Sequence, residues 1–159
     1  MNALKLFVIS CVFVLFAAMP GSAQQPPAYG GNMTLDQAKK VMAAAEAEAI
    51  KNNWNVVIAI VDGTGHIQLV SRMDNSSYGS IKVAIGKAET AFNFRQPTKN
   101  YNERVNSGAA HLLTLGGATL IEGGVPIVVG GKIVGAIGVS GVMAAQDAQI
   151  AMTGAAAAQ

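Results

Sequence analysis

Few side chains in this sequence could do chemistry, and those few lie far apart along the chain. After residue 23 the chain has no cysteine and two histidines, His66 and His111. No His-x-x-x-His pair and no Asp-rich loop is present, so the sequence gives little support for a zinc or calcium site. For a lone histidine the ordinary interpretation is a surface or hydrogen-bonded residue.

Lys87 is the charged residue with the most unusual sequence context. It shares a predicted helical stripe with Val83, Thr90 and Phe94, so part of its stem is expected to be buried. A desolvated lysine is a candidate anion ligand or Schiff-base nucleophile. The alternative is a lysine whose stem covers apolar surface while its ammonium group reaches water.

Motifs for hydrolysis and phosphate binding are incomplete. The segment Gly138-Val139-Ser140-Gly141 lacks the Gly-x-Ser-x-Gly spacing of a nucleophile elbow. The pairs Gly116-Gly117 and Gly123-Gly124 belong to neither a Gly-x-Gly-x-x-Gly nor a Gly-Lys-Ser/Thr motif. Turn geometry explains these glycines, and Asp62 is expected to shape the turn that follows a strand.

Residues 1–23 have the features of a secretory signal peptide. Lys5 precedes an apolar run over residues 6–19, and small residues up to Ala23 suit cleavage there. The run is shorter than the roughly 20 residues that a membrane-spanning helix needs. Lipidation at Cys11 is an alternative, but too few apolar residues precede it. Cleavage predicts a periplasmic or secreted protein without disulfides, and without a membrane partner once the signal peptide is removed.

The remainder of the chain suits one domain of ordinary size. The whole sequence has 11 basic and 9 acidic side chains, and they are spread along it. Such a distribution has no basic patch, so nucleic acid is not an expected partner.

Sequence patterns predict a flexible spacer over residues 24–33 and a folded domain over residues 34–158. Thr34 and Gln37 suit a capping box for a first helix. Later helices are expected before Pro97, near residues 101–105 and at the end of the chain. The full set of predicted elements comprises helices over residues 35–52, 78–94, 101–105 and 144–157, and strands over 56–61, 66–73, 125–129 and 133–139.

The two predicted hairpins and the helices that separate them indicate an α/β (α+β) domain. Its sheet is expected to be mostly antiparallel, with helices packed against it. The first strand is apolar on both faces, which is typical of a central strand.

Several blocks of sequence resemble the GlcG/HbpS family of haem-binding and haem-degrading domains. They occur in the order found in that family and cover residues 34–157. The blocks are Val57-Ile58-Ala59-Ile60-Val61-Asp62-Gly63-Thr64-Gly65-His66, Ser71-Arg72-Met73-Asp74, Ser80-Ile81-Lys82-Val83-Ala84, Lys87-Ala88-Glu89-Thr90-Ala91, Gly123-Gly124-Val125-Pro126-Ile127-Val128 and Gly135-Ala136-Ile137-Gly138-Val139-Ser140-Gly141.

This resemblance implies a profilin-like fold with a five-stranded antiparallel sheet between helices, and a homo-oligomer. It implies haem as a cofactor, with Lys87, Arg95 and Thr98 facing the ligand. His66 lies within a family block and is the candidate metal ligand, since histidine is an ordinary ligand of haem iron. Many relatives carry a second arginine where this chain has Gln96, so one cationic partner for an anionic ligand is missing here.

Three functions are compatible with these features, and the sequence leaves open whether the protein is an enzyme. The first is an exported haem-binding protein, with possible haem degradation or redox sensing. The second is a small-molecule enzyme that acts on a carbonyl, enamine or hydroxy-acid compound through Lys87. The third is a non-catalytic oligomeric sensor of small organic ligands or oxidants.

Overall fold

The computed structural model describes residues 25–159. The predicted signal peptide, with Cys11 and the cleavage point after Ala23, lies outside the described residues. The elements, in chain order, are α1 (Leu35–Lys51), β1 (Val57–Val61), β2 (Ile67–Arg72), α2 (Gly79–Asn93), α3 (Thr98–Asn106), a 3₁₀ helix (Ala110–Thr114), β3 (Gly124–Val129), β4 (Lys132–Ser140) and α4 (Ala144–Ala156).

Helix α1 begins at the capping box that the sequence predicts. The Thr34 hydroxyl accepts a hydrogen bond from the Gln37 backbone N–H at 3.2 Å, and the Gln37 side chain accepts one from the Thr34 N–H at 3.0 Å. These two bonds satisfy N–H groups that have no partner within the helix. The short helix predicted near residues 101–105 is confirmed as α3, which is somewhat longer than expected.

The four strands form one antiparallel sheet in the order β2-β1-β4-β3. All five residues of β1 are buried, which confirms its central position. The expectation of five strands is wrong for the part of the chain described here. Residues 98–106, between α2 and β3, are polar without strand-like alternation and fold as α3. Tyr29 adds only an isolated parallel bridge to Ile133 in β4.

Helices cover both faces of the sheet, as an α+β domain requires. Helices α1 and α4 pack over one apolar cluster, which includes Val41, Ile58 and Ile150. Helix α2 packs on the opposite face over a second cluster, which includes Ala59 and Ala88. In residues 25–159 no helix is long and apolar enough to cross a membrane.

The segment before α1, which the sequence presents as a spacer, makes specific contacts with the sheet. The Ile133 N–H donates to the Ala28 carbonyl at 2.9 Å, and the Gly30 N–H donates to the Ile133 carbonyl at 2.7 Å. Met33 is buried in the same cluster as α1 and α4. Residues 28–33 therefore lie along the first residues of β4.

Candidate functional site

The turn between β1 and β2 is organised by one carboxylate. Asp62 Oδ1 accepts hydrogen bonds from the Thr64 N–H at 2.8 Å, the Thr64 hydroxyl at 2.7 Å and the His66 N–H at 3.2 Å. Burial raises the pKa of Asp62, but the hydrogen bonds from Thr64 and His66 outweigh it, and the pKa lies below its usual range. The role predicted for Asp62 in shaping the turn fits these contacts.

The same turn fixes the proton arrangement of the His66 ring. Its Nδ1 lies 2.9 Å from the Thr64 hydroxyl oxygen. Because the Thr64 hydroxyl donates its only proton to Asp62, we assign the His66 Nδ1–H as the donor to Thr64. In the neutral ring this leaves a lone pair on Nε2 of an exposed side chain, which is the form that binds metals.

Arg95 has an unusual backbone conformation for an arginine. It follows the last turn of α2 with φ of +56°, a region that favours glycine at helix ends. The Arg95 N–H donates to the Phe92 carbonyl at 3.1 Å, and the Gln96 N–H donates to the Ala91 carbonyl at 3.2 Å. Backbone strain of this kind is concentrated at functional sites.

We expect Arg95→Gly to unfold at a higher urea concentration than Arg95→Ala. Both variants lose the guanidinium, but only glycine relieves the left-handed backbone, by about 1 kcal/mol. Equilibrium urea denaturation followed by the fluorescence of Trp54, the single tryptophan, measures the difference. Equal midpoints would contradict the interpretation that Arg95 is strained.

His66 and Arg95 are brought to the same end of the domain by Phe92, in the last turn of α2. A Cβ atom placed on Gly65, beside His66, would lie 3.0 Å from Phe92 Cδ1, so the turn packs directly on that ring. Tyr29 packs against the same ring with 5.0 Å between centroids. The Arg95 guanidinium carbon lies 5.6 Å from the centroid of Tyr29.

Lys87 lies elsewhere, in the interior, with 1% of its side chain exposed. Its ammonium nitrogen is 2.8 Å from Asp147 Oδ2 and 2.8 Å from the Val139 carbonyl. Burial raises the pKa of Asp147, and the hydrogen bond and charge of Lys87 oppose that rise. Lys87 thus joins α2 to β4 and α4, and its charge is used within the protein.

Thr98 is also buried and shares its surroundings with Lys87. Its hydroxyl oxygen accepts a hydrogen bond from the Gly124 N–H at 2.9 Å. A Cβ on Gly123 would lie 2.7 Å from the Lys87 nitrogen, and one on Gly124 would lie 2.7 Å from Thr98 Cγ2. The four predicted site residues therefore form two groups: His66 and Arg95 near Phe92, and Lys87 and Thr98 around the glycine pair.

Two residues in these groups are missed by the sequence analysis. Asp147 is the only charged residue in the alanine-rich helix α4, and that isolation is a signal of a specific partner. Tyr29 precedes the predicted domain and carries no comparable signal. His111, the other histidine, lies exposed in the 3₁₀ helix.

Among residues 25–159 no group of three or more His, Cys, Asp or Glu side chains is placed to hold a metal ion. A metal held only by protein side chains is therefore not supported there. One histidine is enough for an iron whose other ligands come from a porphyrin.

The sequence of this domain matches a known protein family. Residues 33–156 match the sequence profile of the family described as haem degrading protein HbpS-like. The chain belongs to the HbpS-like family. The resemblance to the GlcG/HbpS family that the sequence blocks indicate is thus confirmed.

Relatives of this HbpS-like chain align over most of their own length. Protein GlcG of Escherichia coli K12 is 45% identical over 108 residues, which cover 68% of this chain and 81% of GlcG. The crystal structure of HbpS has a TM-score of 0.74 and 33% identity, covering 88% of this chain and 96% of HbpS. A crystal structure of a PduOC:haem complex has a TM-score of 0.71 and 27% identity, covering 78% and 93% of the two chains.

Proposed function

We propose that this HbpS-like chain is an exported haem-binding protein whose site is the end of the domain around Phe92. The observation that carries the proposal is that the His66 turn and Tyr29 both pack on the Phe92 ring, while the Arg95 guanidinium lies over Tyr29. The proposal of export depends on the signal-like features of residues 1–23.

The residues at this end fit the chemistry of an iron porphyrin. His66 offers an Nε2 lone pair, and Thr64 and Asp62 hold its ring in the required tautomer. Arg95 offers a guanidinium, which pairs well with carboxylates such as the propionates of haem. Bound haem would supply redox and oxygen chemistry, and the protein residues would bind it and control access to it.

Two comparisons support a haem function. The family description names haem degradation, and one solved structure with 27% identity is a complex with haem. Because function diverges within a fold, the residues of this chain must be tested directly. Haem degradation or redox sensing would be a further property of such a site.

In this proposal Lys87 and Thr98 support the site instead of facing the ligand. Both are buried. Thr98 is hydrogen-bonded to Gly124, and the ammonium of Lys87 lies beside Gly123 and is bonded to Asp147 and Val139. The alternative of an enzyme that uses Lys87 as a nucleophile is not favoured, because an ammonium paired with a buried carboxylate has no free lone pair.

The test is a haem titration of the protein that begins at Gln24, read from the Soret absorbance. We expect His66→Ala and Arg95→Ala each to weaken binding about tenfold or more, equivalent to about 1.4 kcal/mol. His111→Ala is the matched histidine control. Arg104→Ala is the matched arginine control, since Arg104 lies 5.7 Å from the ring of Tyr101 in a similar stacked arrangement.

The two outcomes are distinct. Saturable binding that is weakened by the His66 and Arg95 variants and unchanged by both controls supports the site. Non-saturable binding, or equal effects of all four variants, would contradict the proposed haem function.

A further inference from the structure

The segment before α1 is built into the end of the domain that carries His66 and Arg95. Besides the bonds of Ala28 and Gly30 to Ile133, the Met33 N–H donates to the Val134 carbonyl at 3.2 Å. The turn of His66 also packs on this segment, because a Cβ on Gly63 would lie 2.8 Å from the Gly31 carbonyl oxygen. These contacts fix the position of Tyr29.

Tyr29 links this segment to the last turn of α2. Its hydroxyl lies 3.0 Å from the Phe92 carbonyl and 3.1 Å from the Asn93 carbonyl, to which it donates. The Phe92 carbonyl also accepts from the Arg95 N–H, so Tyr29 adds a hydrogen bond from outside α2 to carbonyls at the end of this helix. Its ring packs on Phe92 at a tilt of 42°. The same ring lies under the Arg95 guanidinium, an arrangement stabilised by cation–π attraction.

A cavity of about 360 Å³ lies beside this contact. Its lining comes from residues 25–27 on the segment and from residues around the start of α3, and Arg95 is the only charged side chain among them. A cavity with a single cationic group suits a carboxylate ligand. The family match begins at residue 33, so this wall lies outside the part of the chain that matches the profile.

We propose that residues 25–27 form one wall of the carboxylate subsite and that Tyr29 is a positioning residue for Arg95. Tyr29 holds the guanidinium over its ring and so limits the conformations in which Arg95 meets a ligand carboxylate. The identity of the ligand as a porphyrin rests on the proposed function. The positioning of Arg95 by Tyr29 does not, because it is a property of the ligand-free protein.

The experiment uses Tyr29→Phe, which keeps the ring, and Tyr29→Leu, which removes it. Tyr78→Leu is the matched control, because Tyr78 lies under Arg72 at 5.2 Å in the same kind of contact. Urea denaturation of each variant establishes that it is folded. The first readout is the Arg95 Nε–H resonance of the ligand-free protein, which we expect to move in Tyr29→Leu, and to move much less in Tyr29→Phe and Tyr78→Leu.

The second readout is a fluorescence titration with iron-free protoporphyrin IX and with its dimethyl ester. Iron-free porphyrin removes the contribution of His66, and the ester removes the carboxylate charge. We expect Tyr29→Leu to weaken binding of the free acid about fivefold to tenfold, the range of a cation–π contact near 1 kcal/mol. Binding of the ester should be unchanged, and Tyr29→Phe should retain most of the affinity.

Failure of this inference differs from failure of the proposed function. An unmoved Arg95 resonance in Tyr29→Leu, or equal losses for acid and ester, would overturn the role of Tyr29 even if haem binds through His66. If the wild-type protein binds neither of these porphyrins nor haem itself, the haem function fails. In that case the resonance alone decides whether Tyr29 positions Arg95.

Discussion

Replacing Lys87 with methionine is expected to lower the free energy of unfolding by about 3–5 kcal/mol. The ammonium and the Asp147 carboxylate are both almost fully buried and 2.8 Å apart. Methionine preserves most of the side-chain volume, so the loss arises chiefly from a buried carboxylate without its charge partner. Urea denaturation followed by Trp54 fluorescence provides the measurement.

The double variant Lys87→Met/Asp147→Leu separates charge from packing. Two apolar side chains of similar volume can replace a buried ion pair at little cost, so the double variant should recover much of the lost stability. Recovery would identify the single-variant defect as an unpaired charge. A double variant as unstable as the sum of two single variants would contradict that explanation.

The Lys87→Met defect should also depend on pH. Burial already raises the pKa of Asp147, and removal of Lys87 raises it further because the opposing charge is lost. A carboxyl whose pKa is higher in the folded than in the unfolded state binds more protons when folded, so stability falls as pH rises between the two values. The difference between Lys87→Met and wild type should therefore be smaller at pH 5 than at pH 7.

For Lys87 the sequence predicts part of the environment of the side chain but not its partner. Its helical stripe predicts that part of the stem is buried, with a water-exposed ammonium as the alternative, whereas the structure buries the whole side chain. The partner could not be predicted, because Asp147 lies 60 positions away on α4, and only the packing of α4 beside β4 brings the two together. Without that partner, an anion ligand and a nucleophile remained as alternatives for the lysine.

For the group of His66 and Arg95, the sequence predicts more of the local structure but not how its parts meet. The strand, the turn and Asp62 are local features, and the sequence predicts each of them. Their meeting point is not local, because Phe92, Gly65 and Tyr29 come from three separated segments. The expectation of a fifth strand came from the resemblance alone. No residue pattern between α2 and β3 supported such a strand.

A second large effect is expected at Gly138, where α2 crosses the sheet. A Cβ on this residue would overlap the Ala84 carbonyl oxygen and would lie 2.5 Å from the Ala88 nitrogen. These are backbone atoms of a packed helix, so they cannot move aside as a flexible side chain would. Gly138→Ala is expected to lower the free energy of unfolding by about 3 kcal/mol or more, through overpacking.

Gly116→Ala is the matched control, since a Cβ there would meet nothing within 4 Å. It should change the free energy of unfolding by about 0.5 kcal/mol or less. A Gly138→Ala midpoint equal to that of Gly116→Ala would show that α2 can shift freely on the sheet. Such freedom would also argue against the proposed site. Helix α2 carries Phe92 and leads directly into Arg95, and the site requires both residues to stay in a fixed position relative to the His66 turn.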